Sequence, residues 1–143
     1  MFLGEYHHSI DDKGRVSVPA KFRADLVKGA VVTRGLDTSL FLLPLEEWGK
    51  LADKLAGLPL GQADARAFSR LMLAGAMDIA LDGQGRFVIP EYLRKYAGLK
   101  REVVIVGVHN RLELWDEEEW NKYTAQSEAD AEKIAEKLGT LGV

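Results

Sequence analysis

Two short runs of the sequence place an aspartate four residues before an arginine, with a glycine directly before that arginine. The runs consist of Asp11, Gly14 and Arg15 and of Asp82, Gly85 and Arg86. An arginine can donate two hydrogen bonds to a guanine edge, and such a contact contributes about 1–3 kcal/mol of discrimination between bases. The alternative is a salt bridge across the turn, which requires no ligand. The two interpretations are compatible, because a paired aspartate can orient an arginine toward a base.

Further basic residues lie near Arg15 in the sequence, at Lys13, Lys21 and Arg23. A single lysine is most often solvated surface, but a cluster of positive side chains favours contacts with phosphate groups. The sequence therefore predicts a DNA-binding surface on the two runs. Its predicted residues are Arg15, Lys13, Asp11, Lys21, Arg23, Arg86 and Asp82.

The second run has fewer basic neighbours than the first. Gln84 and Tyr92 occupy the positions of Lys13 and Lys21, although Arg94 keeps the place of Arg23. We therefore expect the first turn to contribute more to DNA binding than the second.

Composition and charge exclude several classes of protein. The net charge of −3 argues against nucleic acid, but the first 75 residues carry ten basic and nine acidic side chains, and the acidic excess lies in the remainder. The absence of cysteine excludes disulfides and thiol nucleophiles and suits the reducing cytoplasm. We expect neither a signal peptide nor a membrane span, because no apolar run is long enough.

No arrangement of residues predicts catalysis or a bound metal. His7, His8, Glu5 and His109 are metal-ligating types, but neighbouring residues of a strand point to opposite faces. Residues 83–85 lack the spacing and the following helix of a phosphate-binding loop. Neither a Ser-His-Asp set nor a pair of carboxylates in a pocket can be assembled. We expect no cofactor and no enzymatic activity.

The two runs belong to an internal repeat. Residues 10–19 align with residues 81–90 at an offset of 71, and residues 31–48 align with residues 103–120 after a one-residue slip. A chance match would not keep one register with a single slip over so many positions, so the chain is a duplication.

Both copies show the same order of signals: strand, turn, strand, short helix, strand, turn, strand, helix. In the first copy, a strand ending at Ile10 is expected to form a hairpin with residues 15–18, and Pro19 to begin a helix over residues 20–26. The other expected strands are residues 31–34, 40–43, 103–108 and 112–115. The other expected helices are residues 91–97, a helix from Pro44, a helix from Asp116 with a capping box to Glu119, a connecting helix over residues 63–76 and an acidic tail helix over residues 127–138.

These signals divide the chain into two units, residues 5–48 and 77–120, with a connecting helical segment at residues 49–76 and a C-terminal helix within residues 121–143. A unit of roughly 45 residues is near the lower limit for burying its own core. We therefore expect a mainly β, α+β fold in which the two units pack about a pseudo-two-fold axis into one closed or interleaved barrel that hides strand edges.

Residues 2–6, 9–19 and 81–90 together resemble the SpoVT-AbrB swapped-hairpin family, and in particular its MraZ members, which carry two such domains in one chain. The resemblance covers nearly the whole sequence, and it places the family's Asp-x-x-x-Arg motif on Asp11 and Arg15 and on Asp82 and Arg86. It implies a swapped-hairpin barrel. It also implies a nucleoid-associated transcriptional regulator of the division and cell-wall gene cluster, which binds closely spaced G-rich repeats in double-stranded DNA as a ring-shaped homo-oligomer.

Three functional classes remain open: a DNA-binding regulator, a protein-binding module of the antitoxin type, and an enzyme. An antitoxin of this fold would need one copy and a disordered toxin-binding tail, whereas this chain has two copies and a tail with helical composition. The enzyme class lacks a candidate site. The regulator is therefore the leading hypothesis.

Overall fold

The computed structural model describes residues 1–142 and gives both repeats the predicted order of elements. The first repeat forms β1 (Phe2–Ser9), β2 (Arg15–Ser17), α1 (Ala20–Leu26), β3 (Ala30–Arg34), β4 (Leu40–Pro44) and α2 (Leu45–Ala56). A connecting helix, α3 (Ala63–Ala74), leads to the second repeat. That repeat forms β5 (Met77–Ile79), β6 (Arg86–Val88), α4 (Glu91–Tyr96), β7 (Glu102–His109), β8 (Arg111–Asp116) and α5 (Glu117–Ala129). Helix α6 (Ala131–Leu138) and a 3-10 turn (Gly139–Leu141) follow.

The strands form one six-stranded sheet, in the order β1-β7-β8-β4-β3-β5, and a separate two-stranded ribbon of β2 and β6. All pairs are antiparallel. The first strand of each repeat pairs with the third strand of the other, since β1 lies against β7 and β5 against β3. The order of the sheet is therefore unchanged when the two repeats are exchanged, as expected for a pseudo-two-fold axis.

Two expectations about strand pairing were wrong. The predicted hairpin between the strand ending at Ile10 and residues 15–18 does not form a ladder, because β2 pairs with β6 of the other repeat. The sheet also does not close into a barrel, since β1 and β5 are its edges. The physical reason is the same for both: the chain turns away from the sheet at each Asp-x-x-Gly-Arg run, so β2 and β6 pair with each other instead of with a sheet edge.

The main core lies between one face of the sheet and the layer of β2, β6, α1 and α4. Alternation along β4 separates the two sheet faces: Leu40 and Leu42 enter this core, whereas Phe41 and Leu43 point to the other side. Both repeats contribute equivalent side chains. The buried residues of the ribbon layer are Val16, Val18, Phe22, Leu26, Phe87, Ile89, Leu93 and Ala97. Their burial against one sheet makes the two repeats one folding unit.

Longer helices cover the opposite face of the sheet. In the first repeat, α2 and α3 bury Leu55 and Met72 against Phe41. In the second repeat, α5 brings Trp120 against Trp115, with ring centroids 5.2 Å apart. None of the described helices is long and apolar enough to cross a membrane.

Two details of the C-terminal helices bear on the predictions. Asp116 caps α5 by accepting the backbone N–H of Glu119 at 3.2 Å, which is half of the expected capping box. The predicted tail helix over residues 127–138 is interrupted, because α5 ends at Ala129 and α6 begins at Ala131. Asp130 lies at the break with a non-helical φ of −102° and ψ of 6°, and aspartate is a weak helix former that favours helix ends.

Candidate nucleic-acid interface

The first Asp-x-x-Gly-Arg turn is organised by the carboxylate of Asp11. Its Oδ1 accepts the backbone N–H groups of Lys13 and Arg15, each at 2.9 Å. Its Oδ2 accepts Nε–H of Arg15 at 2.7 Å. The chain reverses at Gly14, whose φ of +80° is a conformation that glycine adopts without strain. One carboxylate thus fixes both the turn backbone and the arginine side chain.

The second turn repeats this geometry. Asp82 Oδ1 accepts the N–H groups of Gln84 and Arg86, each at 2.9 Å, and its Oδ2 accepts Arg86 Nε–H at 3.0 Å. Gly85 has a φ of +75°. The salt-bridge interpretation is therefore confirmed in both turns, and it leaves the terminal amino groups of each arginine available to a ligand.

Hydrogen bonding lowers the pKa of both aspartates. The backbone N–H of Arg15, followed by its side chain, lowers the pKa of Asp11 to about 2. The backbone N–H of Arg86 is the largest cause of the lowered pKa of Asp82. Both carboxylates are ionised at neutral pH, so each arginine is held by a full negative charge.

The register of the β2–β6 ribbon places both arginines on one face. Arg15 lies opposite Val88, and Ser17 lies opposite Arg86. Directly opposed residues of an antiparallel pair lie on the same face of the ribbon. Val16 and its partner on β6 enter the core, so the four side chains on either side of this pair point outward. Val88 is 52% exposed. The ribbon therefore presents two oriented cations, one hydroxyl and one apolar side chain to solvent.

An arginine from each repeat lies on the turn of the other repeat. A Cβ added at Gly14 would lie 3.0 Å from Cζ of Arg94, and one added at Gly85 would overlap the guanidinium of Arg23. Backbone hydrogen bonds also join the two repeats. The Val18 N–H donates to the Gly85 carbonyl at 2.9 Å, and the equivalent N–H of the second repeat donates to the Gly14 carbonyl. The turns are thus built jointly by the two repeats.

This arrangement changes the predicted basic cluster around Arg15. Arg23 packs on the second turn instead of the first, with Nε–H donated to the Val18 carbonyl at 2.9 Å. Lys21 lies over the rings of Tyr6 and Phe22, 5.1 Å from each centroid. Lys13 is exposed at the first turn. Residues that are close to Arg15 in the sequence are not all close to it in the structure, because β2 pairs with β6 of the other repeat.

With these neighbours included, the two turns carry the same net charge. The first combines Asp11, Asp12, Lys13 and Arg15 with Arg94, which makes two acidic and three basic side chains. The second combines one acidic residue and two basic residues, Asp82, Arg86 and Arg23. The structural basis for expecting a stronger first turn is therefore removed.

Sequence reasoning missed three residues of this surface: Arg94, Ser17 and Val88. The outward positions of Ser17 and Val88 follow from alternation along a three-residue strand, a signal that was available once the buried neighbours were assigned. The place of Arg94 required the pairing of β2 with β6, which no local signal gives.

The two adjacent histidines near the N-terminus have different neighbours. His7 pairs with Glu117 at 3.1 Å, and this hydrogen bond raises its pKa. Burial, with a smaller contribution from the charge of Arg23, lowers the pKa of His8. The two side chains have separate surroundings, as strand alternation predicts. Within residues 1–142, no group of three or more His, Cys, Asp or Glu residues is placed to hold a metal ion.

Comparison with known proteins gives matches along the whole chain. A family model described as "MraZ protein, putative antitoxin-like" matches twice, over residues 1–71 and 72–140, which confirms the duplication. The chain is 52% identical over 138 residues, 96% of each protein, to the transcriptional regulator MraZ of Natranaerobius thermophilus. It is 49% identical to the transcriptional regulator MraZ of Acetivibrio thermocellus and 48% identical to that of Syntrophomonas wolfei, in each case over 143 residues and the full length of both chains.

Proposed function

The chain belongs to the MraZ family, and from this membership and the geometry of its ribbon we propose that it is a transcriptional regulator that reads double-stranded DNA with β2 and β6. Its curated relatives carry the name of a regulator and not of an enzyme. The observation that carries the proposal is the common outward face of Arg15 and Arg86, each held by an aspartate of its own turn.

A two-stranded ribbon has dimensions that fit the major groove of B-DNA. Because Arg15 binds Asp11 Oδ2 through Nε, its two terminal amino groups are left as a pair of donors. A pair of donors in one plane matches O6 and N7 of guanine. Fixing the side chain before binding also lowers the entropy lost on complex formation.

The finer target follows from the family resemblance and is part of the proposal. The protein would bind closely spaced G-rich boxes in the promoter of the division and cell-wall gene cluster, and it would act in the cytoplasm in association with the nucleoid. Two guanine-selective arginines on one ribbon suit a G-rich box. The chain's lack of cysteine suits a reducing compartment.

Binding to repeated boxes is proposed to involve a ring-shaped homo-oligomer. Helix α6 supports self-association, because its residues Ile134 and Leu138 are 43% and 39% exposed and lie four residues apart on one face of the helix. Several ribbons on one assembly would engage several boxes, and linked contacts can exceed single-site affinity by about 10²–10⁴.

A protein-binding module of the antitoxin type is the alternative function. Such a module would use an extended tail without regular structure, whereas residues 117–138 form helices α5 and α6. The arrangement of two oriented arginines is also unexplained by toxin binding. The regulator therefore fits the geometry better.

The test is binding of the purified protein to its own upstream DNA, measured by gel shift at moderate salt. Arg15→Ala should abolish retention of the DNA and leave the solution mass of the protein unchanged. Arg70→Ala is the matched control, because Arg70 is exposed on α3, which covers the opposite face of the sheet. Undiminished binding by Arg15→Ala would reject the ribbon as the DNA-binding surface.

A further inference from the structure

We propose that each DNA-binding turn is a composite of both repeats, in which Arg94 supplies a phosphate ligand beside Arg15 and Arg23 supplies one beside Arg86. The inference rests on the proposed DNA binding and deepens it. Each ribbon arginine is thus paired with an arginine of the other repeat, and not with the one that lies nearest to it in the sequence. Arg94 has no role in the site as derived from the sequence.

The two arginines are anchored in equivalent ways. Arg94 donates Nε–H to the carbonyl of Ile89 at 3.1 Å, and Arg23 donates Nε–H to the carbonyl of Val18 at 2.9 Å. Each anchor carbonyl belongs to the residue before the proline that begins the helix carrying the arginine. The guanidinium groups are therefore fixed by the backbone.

The anchored guanidinium groups lie on the two positive-φ glycines. Arg94 lies on Gly14, next to Arg15 in the chain, and Arg23 lies on Gly85, next to Arg86. A surface hollow beside the second turn is lined by Arg23 together with Asp82 and Gly85, so this arginine borders open space next to the turn. A phosphate group approaching either turn would meet two guanidinium groups from different repeats.

The terminal amino groups of both arginines are available for a ligand. Within residues 1–142, neither Arg23 nor Arg94 donates a terminal N–H to a protein acceptor or pairs with a carboxylate. Other partly buried arginines differ: Arg34 donates a terminal N–H to the carbonyl of Leu71, and Arg111 forms an ion pair with Glu113 at 2.8 Å. A guanidinium that is fixed through Nε and open at its terminal nitrogens is suited to bidentate binding of phosphate.

Phosphate is the expected partner of these two residues because of where they are attached. Arg23 and Arg94 lie on α1 and α4, beside the ribbon, and not on its outward face. If the ribbon enters the groove, the flanking helices lie next to the DNA backbone. Each such contact adds about 0.9 to the steepness of the log-log dependence of affinity on salt concentration.

Double-variant cycles on promoter DNA test the pairing. Arg94→Gln should weaken binding in the otherwise unchanged protein and lower the salt slope by about 1 per engaged turn. At a lower salt concentration, where the Arg15→Ala background still binds, Arg94→Gln should have little further effect in that background, whereas Arg23→Gln should keep its full effect. The reverse should hold in an Arg86→Ala background. Thermal midpoints of all variants show whether each remains folded at the temperature of the binding assay.

The outcomes separate this inference from the proposed function. If Arg15→Ala and Arg86→Ala do not weaken binding, the proposed function fails. If both variants weaken binding, two results would reject only the composite turn. One is coupling of Arg15 with Arg23 and of Arg86 with Arg94, and the other is simple addition of the effects of all four substitutions.

Phenylglyoxal modification of the unaltered protein tests the same ligands without any variant. Bound DNA should protect Arg23 and Arg94 from modification, and equal modification with and without DNA would reject both as ligands.

Discussion

Arg15 and Arg86 lie diagonally across the β2–β6 ribbon, on its outward face, because each is paired with a residue two positions from the other. Neither repeat could build this arrangement alone, since the ribbon takes one strand from each. The duplication therefore creates one reading surface with two similar halves. The two halves of this surface differ mainly at two pairs of corresponding positions. These are Ser17 and Val88, and Lys13 and Gln84.

Arg15→Ala and Arg86→Ala should weaken specific DNA binding by similar factors. The two turns carry equal net charge, and each arginine is held by its aspartate in the same geometry. Loss of one bidentate base contact corresponds to about a 5- to 150-fold loss per ribbon. Fluorescence anisotropy at one salt concentration measures both variants, with Arg70→Ala as the control for loss of charge. A much smaller effect at Arg86 would restore the asymmetry expected from the sequence.

Asp11→Asn should lower the preference for specific over unrelated DNA. The amide oxygen can still accept the backbone N–H groups, but the ionic bond to Arg15 Nε is lost, so the side chain is no longer held toward a base. Removal of a negative charge near phosphate should leave binding to unrelated DNA unchanged or stronger. Competition with both DNAs measures the ratio, and an unchanged ratio would show that Asp11 has no orienting role.

The Asp11 turn should lose its electrostatic stabilisation only in strong acid. The pKa of Asp11 is lowered from 3.8 to about 2 in the folded protein, so protonation favours the unfolded state. The contribution is complete above about pH 4 and is lost as the pH falls through about 2. Carboxyl chemical shifts should give a midpoint near 2 for Asp11. Urea denaturation should show a smaller loss of stability between pH 4 and pH 2 in Asp11→Asn, and equal losses would contradict the assignment.

Gly14→Ala and Gly85→Ala should both destabilise the protein. Each position has a positive φ, which costs a non-glycine residue about 1–3 kcal/mol, and the new methyl group would displace Arg94 or Arg23. Gly85→Ala should be the more damaging, since its Cβ overlaps the Arg23 guanidinium. Gly83→Ala is the matched control, because nothing lies within 4 Å of a Cβ there. Urea midpoints compare the three, and equal midpoints would refute the turn geometry.

Local signals were sufficient for the elements of each repeat. Pro19 predicted a helix over residues 20–26, which is the observed extent of α1, and apolar strand segments bounded by turn signals predicted β3, β4, β7 and β8 to within two residues at each end. The Asp11 turn also followed from local chemistry, because its hydrogen bonds join residues no more than four apart.

Strand pairing between the repeats was beyond local signals. The hairpin expected at Ile10 was inferred from the turn residues Asp11 to Gly14, but burying Val16 and Phe87 in a shared core favours pairing of β2 with β6. Because β2 and β6 pair in this way, Arg23 lies on the second turn and Arg94 lies on the first. The division of the chain into units at residues 5–48 and 77–120 stays a prediction, since one sheet contains strands of both repeats.

The central claim is that Arg15 and Arg86 read guanine from the ribbon face, and replacement of box guanines by 7-deazaguanine tests it directly. This base lacks the N7 acceptor of a bidentate arginine contact. The unaltered protein should lose about tenfold in affinity for each contacted guanine that is replaced. An Arg15→Ala, Arg86→Ala double variant should bind both DNAs equally. If the unaltered protein is indifferent to the replacement, or the double variant is equally sensitive to it, the ribbon arginines do not read guanine.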